Sequence, residues 1–270
     1  MDPMHKTSRS KTILLAAMLC LVLVLSALVS LKLDFDNRDK LFQSMVRDSP
    51  DAMEALQELK ESTPTDAVVL SWWDYGRAIQ DLGGRKAVVA YPSRDILQSV
   101  GASQNPVYAL EMQLFGTYDS AEKVHDVALA LILPEESSLP IMWRYGATHV
   151  MVFHGEDDHI GFNDLEKLPW IARIAGHDSS EYLRINLTSR KERYELTPKA
   201  EQVTIIRLLL DERFPPKHFA KIFENGVAKI YRIDYSKVAS ILPAADEVSP
   251  ALTPVRLASA SSTELPESKF

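Results

Sequence analysis

The chain has 270 residues, of which 46% are hydrophobic and 25% are charged, so it can bury a sizeable core and does not have the composition of a disordered polymer. Its 30 basic and 37 acidic residues give a net charge of -7, which is the wrong sign for binding a phosphate backbone and excludes nucleic acid as an expected partner. The single cysteine, Cys20, lies in an apolar run, so the polar remainder of the chain has no thiol for disulfide, metal or nucleophile chemistry.

An uncharged apolar run at residues 13–31 predicts a membrane-spanning helix over residues 12–33. At about 1.5 Å of rise per residue the run covers roughly 28 Å, close to the thickness of about 30 Å of a bilayer's hydrocarbon core. Three basic residues precede the run, and two aspartates follow it. The positive-inside rule therefore predicts a cytoplasmic tail at residues 1–11 and places everything after the span outside the cytoplasm.

A cleaved secretory signal is the alternative interpretation of this segment. Such a signal has a basic start, an apolar core of about 7 to 15 residues and small residues before the cleavage site. The run here is longer, which favours an uncleaved anchor, and Ala27 with Val29 makes a mediocre cleavage site. Both interpretations place the globular part on the same side of the membrane.

Residues 34–240 are predicted to form one mixed α/β domain. Ser49 followed by Pro50 is typical of a helix N-cap with proline at the first helical position. After this helix, short β-branched runs alternate with helical patterns, as they do in α/β domains. The runs predicted to be strands are residues 67–70, 86–91 and 148–153, and those predicted to be helices are residues 94–116 and 120–133.

The last third of the domain is predicted to contain helices at residues 198–214 and 217–223 and a closing strand at residues 227–235. Residues 241–270 are rich in Ala, Ser, Thr, Pro and Glu, which predicts a disordered tail. The expected fold class is α/β, with one N-terminal transmembrane helix followed by a mixed α/β extracytoplasmic domain.

The end of the first predicted strand carries an unusual cluster of two indoles, a carboxylate and a phenol, formed by Trp72, Trp73, Asp74, Tyr75 and Gly76. An indole N–H only donates a hydrogen bond and an ionised carboxylate only accepts one, so together they suit a hydroxyl group, which does both. A charge-assisted hydrogen bond of this kind contributes about 1.5 to 3 kcal/mol. The alternative is an aromatic cluster that packs the core, with Asp74 capping a turn before Gly76.

A second candidate segment contains Asp164, Lys167 and Ile171. Their spacing places all three on one helical face, so Asp164 and Lys167 can pair while Ile171 presents an apolar tip beside them. Pro169 within this segment predicts a kink or a late helix start. The alternative is an ordinary amphipathic helix with a solvated Asp and Lys pair.

The first cluster resembles the Trp-Trp-Asp-Tyr-Gly signature of the catalytic subunit of oligosaccharyltransferase, the enzyme of protein N-glycosylation. The resemblance implies that Trp72, Trp73 and Asp74 hold the hydroxyl group of the Ser or Thr in an Asn-X-Ser/Thr acceptor. It implies that Tyr75 and Gly76 shape the turn.

The second segment resembles the Asp-x-x-Lys-x-x-x-Met/Ile pattern of the archaeal and eukaryotic members of that family. The resemblance implies that Asp164 and Lys167 hold the segment beside the same pocket. It further implies that Ile171 meets the threonine methyl group, a contact of about 0.8 kcal/mol that would give a modest preference for Thr over Ser.

For the whole chain, the resemblance implies the C-terminal part of an oligosaccharyltransferase, which transfers a lipid-linked oligosaccharide to the acceptor asparagine. In that family the catalytic carboxylates and their Mn or Mg ion lie in a multi-span membrane half, which one predicted span does not supply. We therefore expect no catalytic residue, metal or cofactor in this chain, and its status as an enzyme stays open. The expected partners are an acceptor polypeptide, a multi-span membrane catalytic half and membrane lipid. The other hypothesis is a stand-alone sequon-binding or structural membrane-anchored protein without transferase activity.

Three further patterns in the sequence resemble functional sites. Asn186 starts an Asn-Leu-Thr acceptor sequence and is a candidate glycosylation site in a domain predicted to lie outside the cytoplasm. Residues 154–159 contain two histidines and three carboxylates, but their spacing matches no metal-binding helix, so a solvated loop is predicted. Asp34 and Asp36 are interpreted as the charged flank of the span.

Overall fold

A computed structural model describes residues 4–96, 106–155, 162–185 and 194–236. The described α-helices are α1 Met4–Arg47, α2 Pro50–Ser62, α3 Trp73–Asp81, α4 Pro106–Phe115, α5 Ala121–Ile132, α6 Glu135–Arg144, α7 Asp164–Ile174 and α8 Thr204–Leu209. The described strands are β1 Val68–Leu70, β2 Lys86–Ala87, β3 His149–Phe153, β4 Leu183–Ile185, β5 Tyr194–Leu196, β6 Phe219–Glu224 and β7 Ala228–Ile233.

Helix α1 carries the apolar N-terminal run. Within the described residues it is the one helix long and apolar enough to cross a membrane, with a candidate span at Ile13–Asn37 and a mean hydropathy of 2.9. The helix continues without a break to Arg47, beyond the predicted end of the span at residue 33. The protein is thus a membrane-associated chain whose globular part follows this candidate span.

A five-stranded mixed sheet forms the centre of the globular part, with the strand order β2-β1-β3-β7-β6. Strand β1 pairs in parallel with both β2 and β3, while β7 pairs antiparallel with β3 and β6. All five residues of β3 are buried, as expected for the central strand of a sheet covered on both faces. The predicted mixed α/β fold is confirmed.

Local signals explain several of these elements. The Ser49 side chain accepts a hydrogen bond from the Ala52 amide at 3.3 Å, and Pro50 occupies the first position of α2, as predicted. The buried face of α2 contains Leu56 and Leu59, which are 1% and 0% exposed. This helix contacts β6 and β7 and so covers one face of the sheet.

The structure departs from the sequence predictions at several places. Residues 217–223 were predicted to be helical, but strand β6 occupies Phe219–Glu224, because its backbone pairs along β7. Within residues 198–214, helical structure is limited to a 3-10 turn at Ala200–Gln202 and to α8. Helices α3 and α6 and the β4/β5 hairpin were not predicted, and the predicted tail at 241–270 lies outside the described residues.

Candidate functional site

The two candidate segments lie at the same edge of the sheet. Strand β1 ends at Leu70 and leads through Ser71 and Trp72 into α3, and strand β3 ends shortly before α7. Because β1 and β3 are parallel neighbours, their carboxyl ends meet at one edge, which is where α/β sheets place their binding crevices. The Ser71 hydroxyl ties the two strands together there by donating to the Met151 carbonyl at 2.8 Å.

Lys167 joins the two segments directly. Its ammonium group lies 2.8 Å from Asp74 Oδ2 and donates to the Tyr75 hydroxyl at 2.7 Å. The same nitrogen is 4.0 Å from the centre of the Tyr75 ring, a favourable cation–π distance. The Asp74 and Lys167 side chains keep 22% and 16% of their surface exposed, so the ion pair is half-buried yet reachable from solvent. The sequence predicted that Lys167 pairs with Asp164. In the structure, Lys167 instead forms its ion pair with Asp74 on the other segment.

Asp164 is a buried residue that connects two backbone elements of the site. It is 1% exposed, and its Oδ2 accepts a hydrogen bond at 2.9 Å from the backbone N–H of Phe153, the last residue of β3. Burial raises the pKa of its carboxyl group to about 6, against the opposing effects of the Lys167 charge and of its hydrogen bonds to the Phe153 amide and the Tyr75 hydroxyl. Asp164 therefore fastens the start of α7 to the end of β3 and keeps Lys167 pointing at the other segment.

The two tryptophans differ in their surroundings. Trp72 is 3% exposed and belongs to the core, with its ring 6.1 Å from that of Trp73. Trp73 is the first residue of α3 and is half-buried, and its indole Nε1 is buried with no hydrogen-bond partner among the described residues. An unsatisfied buried donor costs about 1 to 3 kcal/mol. The structure therefore places an unused hydrogen-bond donor next in the chain to the Asp74 carboxylate.

Tyr75 and Gly76 lie within α3, rather than in the turn that the resemblance implied. The Tyr75 ring stacks on Phe153 with 3.8 Å between ring centres, and burial, reinforced by the charges of Asp164 and Asp74, holds the pKa of its phenol well above the usual range. Gly76 packs against the backbone after β2, because a Cβ atom there would lie 2.0 Å from the Val89 carbonyl oxygen. Gly76 thus permits the close approach that fixes α3, and with it Asp74.

Ile171 does not line the accessible part of the site. It is 0% exposed and belongs to the core beneath α7, so in this structure it offers no surface to a ligand methyl group. Its neighbour Trp170 is 46% exposed. Pro169 lies inside a helix that starts at Asp164 and continues to Ile174, so the proline does not delay the helix start.

Sequence reasoning missed two features that support the site. Asn163 caps α7, because its side-chain oxygen accepts from the Leu165 and Glu166 amides at 3.0 and 3.4 Å. An asparagine followed three residues later by a glutamate is the signature of such a start. Phe162 extends the aromatic stack beneath Lys167, with its ring centre 6.1 Å from that of Tyr75. No sequence pattern predicted this contact.

The remaining candidate patterns contribute little to the described structure. No group of three or more His, Cys, Asp or Glu side chains among the described residues could hold a metal ion. Asn186 and most of the loop at residues 154–159 lie outside the described residues. Asp36 pairs with Lys32 on α1, near the C-terminal end of the candidate span.

Comparison with known proteins gives one family match and several relatives. The model of the family described as "HaoA-associated protein HaoB" matches residues 8–147. The dolichyl-diphosphooligosaccharide–protein glycosyltransferase subunit stt3 of Schizosaccharomyces pombe is 24% identical over 63% of this chain and 21% of its own length. The subunit STT3B of Oryza sativa is 26% identical over 47% of this chain and 14% of its own length. The chain thus spans about a fifth, or less, of these relatives.

Two solved structures are also similar. The C-terminal globular domain of an oligosaccharyltransferase from Archaeoglobus fulgidus aligns with a TM-score of 0.44 and 18% identity, covering 69% of this chain and 98% of that domain. The C-terminal domain of C. jejuni pglb aligns with a TM-score of 0.41 and 8% identity, covering 67% of this chain and 98% of that domain.

Proposed function

This chain belongs to the family of the HaoA-associated protein HaoB, and from that premise we propose that its globular domain binds polypeptide by holding a serine or threonine hydroxyl group at Asp74. The single observation that carries the proposal is that the buried Trp73 indole N–H, which has no hydrogen-bond partner among the described residues, directly precedes in the chain the partly exposed Asp74 carboxylate. A hydroxyl group placed between them accepts from the indole and donates to the carboxylate.

Lys167 prepares Asp74 for this role. The ammonium group fixes Oδ2 at 2.8 Å, so the carboxylate is ordered before a ligand arrives, which lowers the entropic cost of binding. The Tyr75 hydroxyl accepts a hydrogen bond from Lys167 and so helps to position the ion pair of Lys167 with Asp74. The Tyr75 ring is itself positioned by stacking on Phe153. A valine at the same position of a peptide would give the indole N–H no acceptor and would offer Asp74 no hydroxyl donor in addition to Lys167, which is the source of discrimination.

The proposed role of this binding is acceptor recognition in protein N-glycosylation. The relatives are named as subunits of a glycosyltransferase that acts on protein, and this chain matches about a fifth of their length. The chain would read the Ser or Thr of an Asn-X-Ser/Thr segment outside the cytoplasm, while a multi-span membrane partner would hold the lipid-linked oligosaccharide and the Mn or Mg ion. In this proposal the described residues bind the acceptor, and the membrane partner supplies the catalytic groups.

A second candidate function follows from the family description, which names an association with HaoA. Here the same site at Asp74 holds a hydroxyl-bearing segment of HaoA at the membrane, and no sugar is transferred. Purification of the full chain from membranes distinguishes the two. Recovery of a multi-span protein supports the role in N-glycosylation. Recovery of HaoA supports the second function if an Asn-X-Thr peptide releases it by competition.

Calorimetry on the full chain in lipid nanodiscs tests the shared claim. An Asn-X-Thr peptide should bind, and Asp74→Asn should weaken binding about tenfold or more, because it removes the charge from the hydrogen bond. Asp81→Asn is the matched control, since Asp81 lies on the same helix with its side chain 52% exposed and should leave affinity unchanged. Equal affinity for Asn-X-Thr and Asn-X-Val peptides would refute the proposal.

A further inference from the structure

Helix α4 presents an apolar face that the globular part does not cover. Val107, Leu110 and Leu114 are 48%, 44% and 48% exposed, and their spacing of three and four places them on one side of the helix. The only charged residue in the sequence of this helix, Glu111, lies one turn after Val107, but it is 0% exposed and so adds no exposed charge to this face. An exposed helix face without charge is unusual on a protein surrounded by water.

The position of α4 explains why such a face is tolerated. The helix lies against α1, and its last residue, Phe115, has its ring centre 6.0 Å from that of Phe35. The Lys32 ammonium lies 5.5 and 5.7 Å from these two ring centres. Phe35 falls inside the candidate membrane span Ile13–Asn37, so α4 is attached at the C-terminal end of that span.

The length of the span sets the depth of this contact. A span of 25 residues measures about 37 Å, which exceeds the hydrocarbon core of about 30 Å. Its charged C-terminal turn, with Lys32 and Asp36 paired, therefore lies among the lipid headgroups. Phe115, the last of the ten residues of α4, packs on this turn. Helix α4 therefore contacts α1 at the same depth.

We propose that α4 is an interfacial helix whose exposed apolar face lies in the lipid surface of the membrane that α1 spans. An interfacial helix places its apolar side at the boundary between headgroups and acyl chains, roughly 5 to 10 Å deep. Lys32 supplies a cation at the level of the lipid phosphates, and the uncharged face supplies the apolar contact. Lipid is favoured over a protein partner because the face is fixed at the bilayer by α1 itself. The domain thus has two attachments to the membrane, which restrict its tilt independently of what Asp74 binds.

Depth-dependent fluorescence quenching tests this inference on the full chain in nanodiscs. In a Cys20→Ala background, Leu110→Cys carries an environment-sensitive fluorophore, and Leu114→Cys repeats the measurement at a second position. We expect nitroxide groups near the lipid headgroups to remove most of the fluorescence, nitroxides at the chain ends to remove less, and aqueous iodide to have little effect. The wild-type chain labelled at Cys20, inside the span, is the depth reference and should respond most to deep nitroxides.

Two outcomes would overturn the proposal. Strong quenching by iodide without quenching by lipid nitroxides would place the face in water. Protection from both quenchers would show that protein, such as a second copy of the chain or a membrane partner, covers it. Nanodiscs without nitroxide lipids give the baseline for each labelled variant.

Discussion

Replacing Asp164 by Asn should change how the stability of the fold depends on pH. Asparagine keeps an oxygen that can accept from the Phe153 N–H but removes the buried charge. The pKa of the Asp164 carboxyl group rises from 3.8 to about 6 on folding, mainly through burial. A shift of about 2 units corresponds to roughly 3 kcal/mol between the two protonation states.

The sign follows from which state binds the proton more tightly. Because the folded state has the higher pKa, the contribution to stability is fully present below about pH 4 and is lost as the pH rises through about 6. At pH 7 the wild type therefore carries the cost of a buried charge, which the Asn variant lacks. Lys167, Asp74 and Tyr75 surround this group and stay in place in the variant.

Urea unfolding of the full chain in detergent, followed by tryptophan fluorescence between pH 4 and 7, measures this effect. The stability of Asp164→Asn relative to wild type should rise across this window by about 2 to 3 kcal/mol. Asp66→Asn, at an exposed position, should show a flat difference. A flat difference for Asp164→Asn as well would refute the assignment of a raised pKa to this buried group.

Three other substitutions test the framework of the site. Gly76→Ala should destabilise the fold by about 1 to 3 kcal/mol or more, because its Cβ would lie 2.0 Å from the Val89 oxygen, and an unchanged unfolding midpoint would contradict this packing. Lys167→Met should cost about 1 to 3 kcal/mol and weaken peptide binding, because Asp74 loses its ordering partner, and calorimetry with unchanged affinity would dispute that role. Ile171→Val should cost about 0.5 to 1.5 kcal/mol without altering the ratio of Thr to Ser peptide affinities, and a changed ratio would restore the methyl contact that the resemblance implied.

Much of the fold could be predicted because its signals are local. Residues close together in the sequence determine three of these features: the Ser49 cap, the helix start at Pro50 and the β-branched strand β1. Strand β6 was misassigned because its apolar residues recur at three and four, as in a helix, while the pairing with β7 that decides its structure is not local. Helix α3 was missed because two of its first three residues are aromatic and no side chain caps it.

The residues of the candidate site were selected from the sequence, but the contacts between them could not be. The sequence singled out Trp73, Asp74 and Lys167 as candidates, and it could not reveal that Lys167 reaches Asp74 or that the Trp73 indole has no partner within the described part of the chain. These facts depend on how α3 and α7 pack at the end of a parallel strand pair. The helical spacing correctly placed Ile171 and Lys167 on one face of the helix. It could not show that Ile171 is buried, because burial depends on the rest of the core.

The central claim is that the Trp73 indole and the Asp74 carboxylate share one ligand hydroxyl. Nuclear magnetic resonance of the full chain with ¹⁵N-labelled indoles observes this directly, because the chain has four tryptophans and Trp73→Phe identifies the signal of interest. An Asn-X-Thr peptide should shift the Trp73 indole N–H signal as its unpartnered donor gains an acceptor, while an Asn-X-Val peptide should leave it in place. A Trp73 signal that stays fixed at saturating Asn-X-Thr peptide would contradict the account.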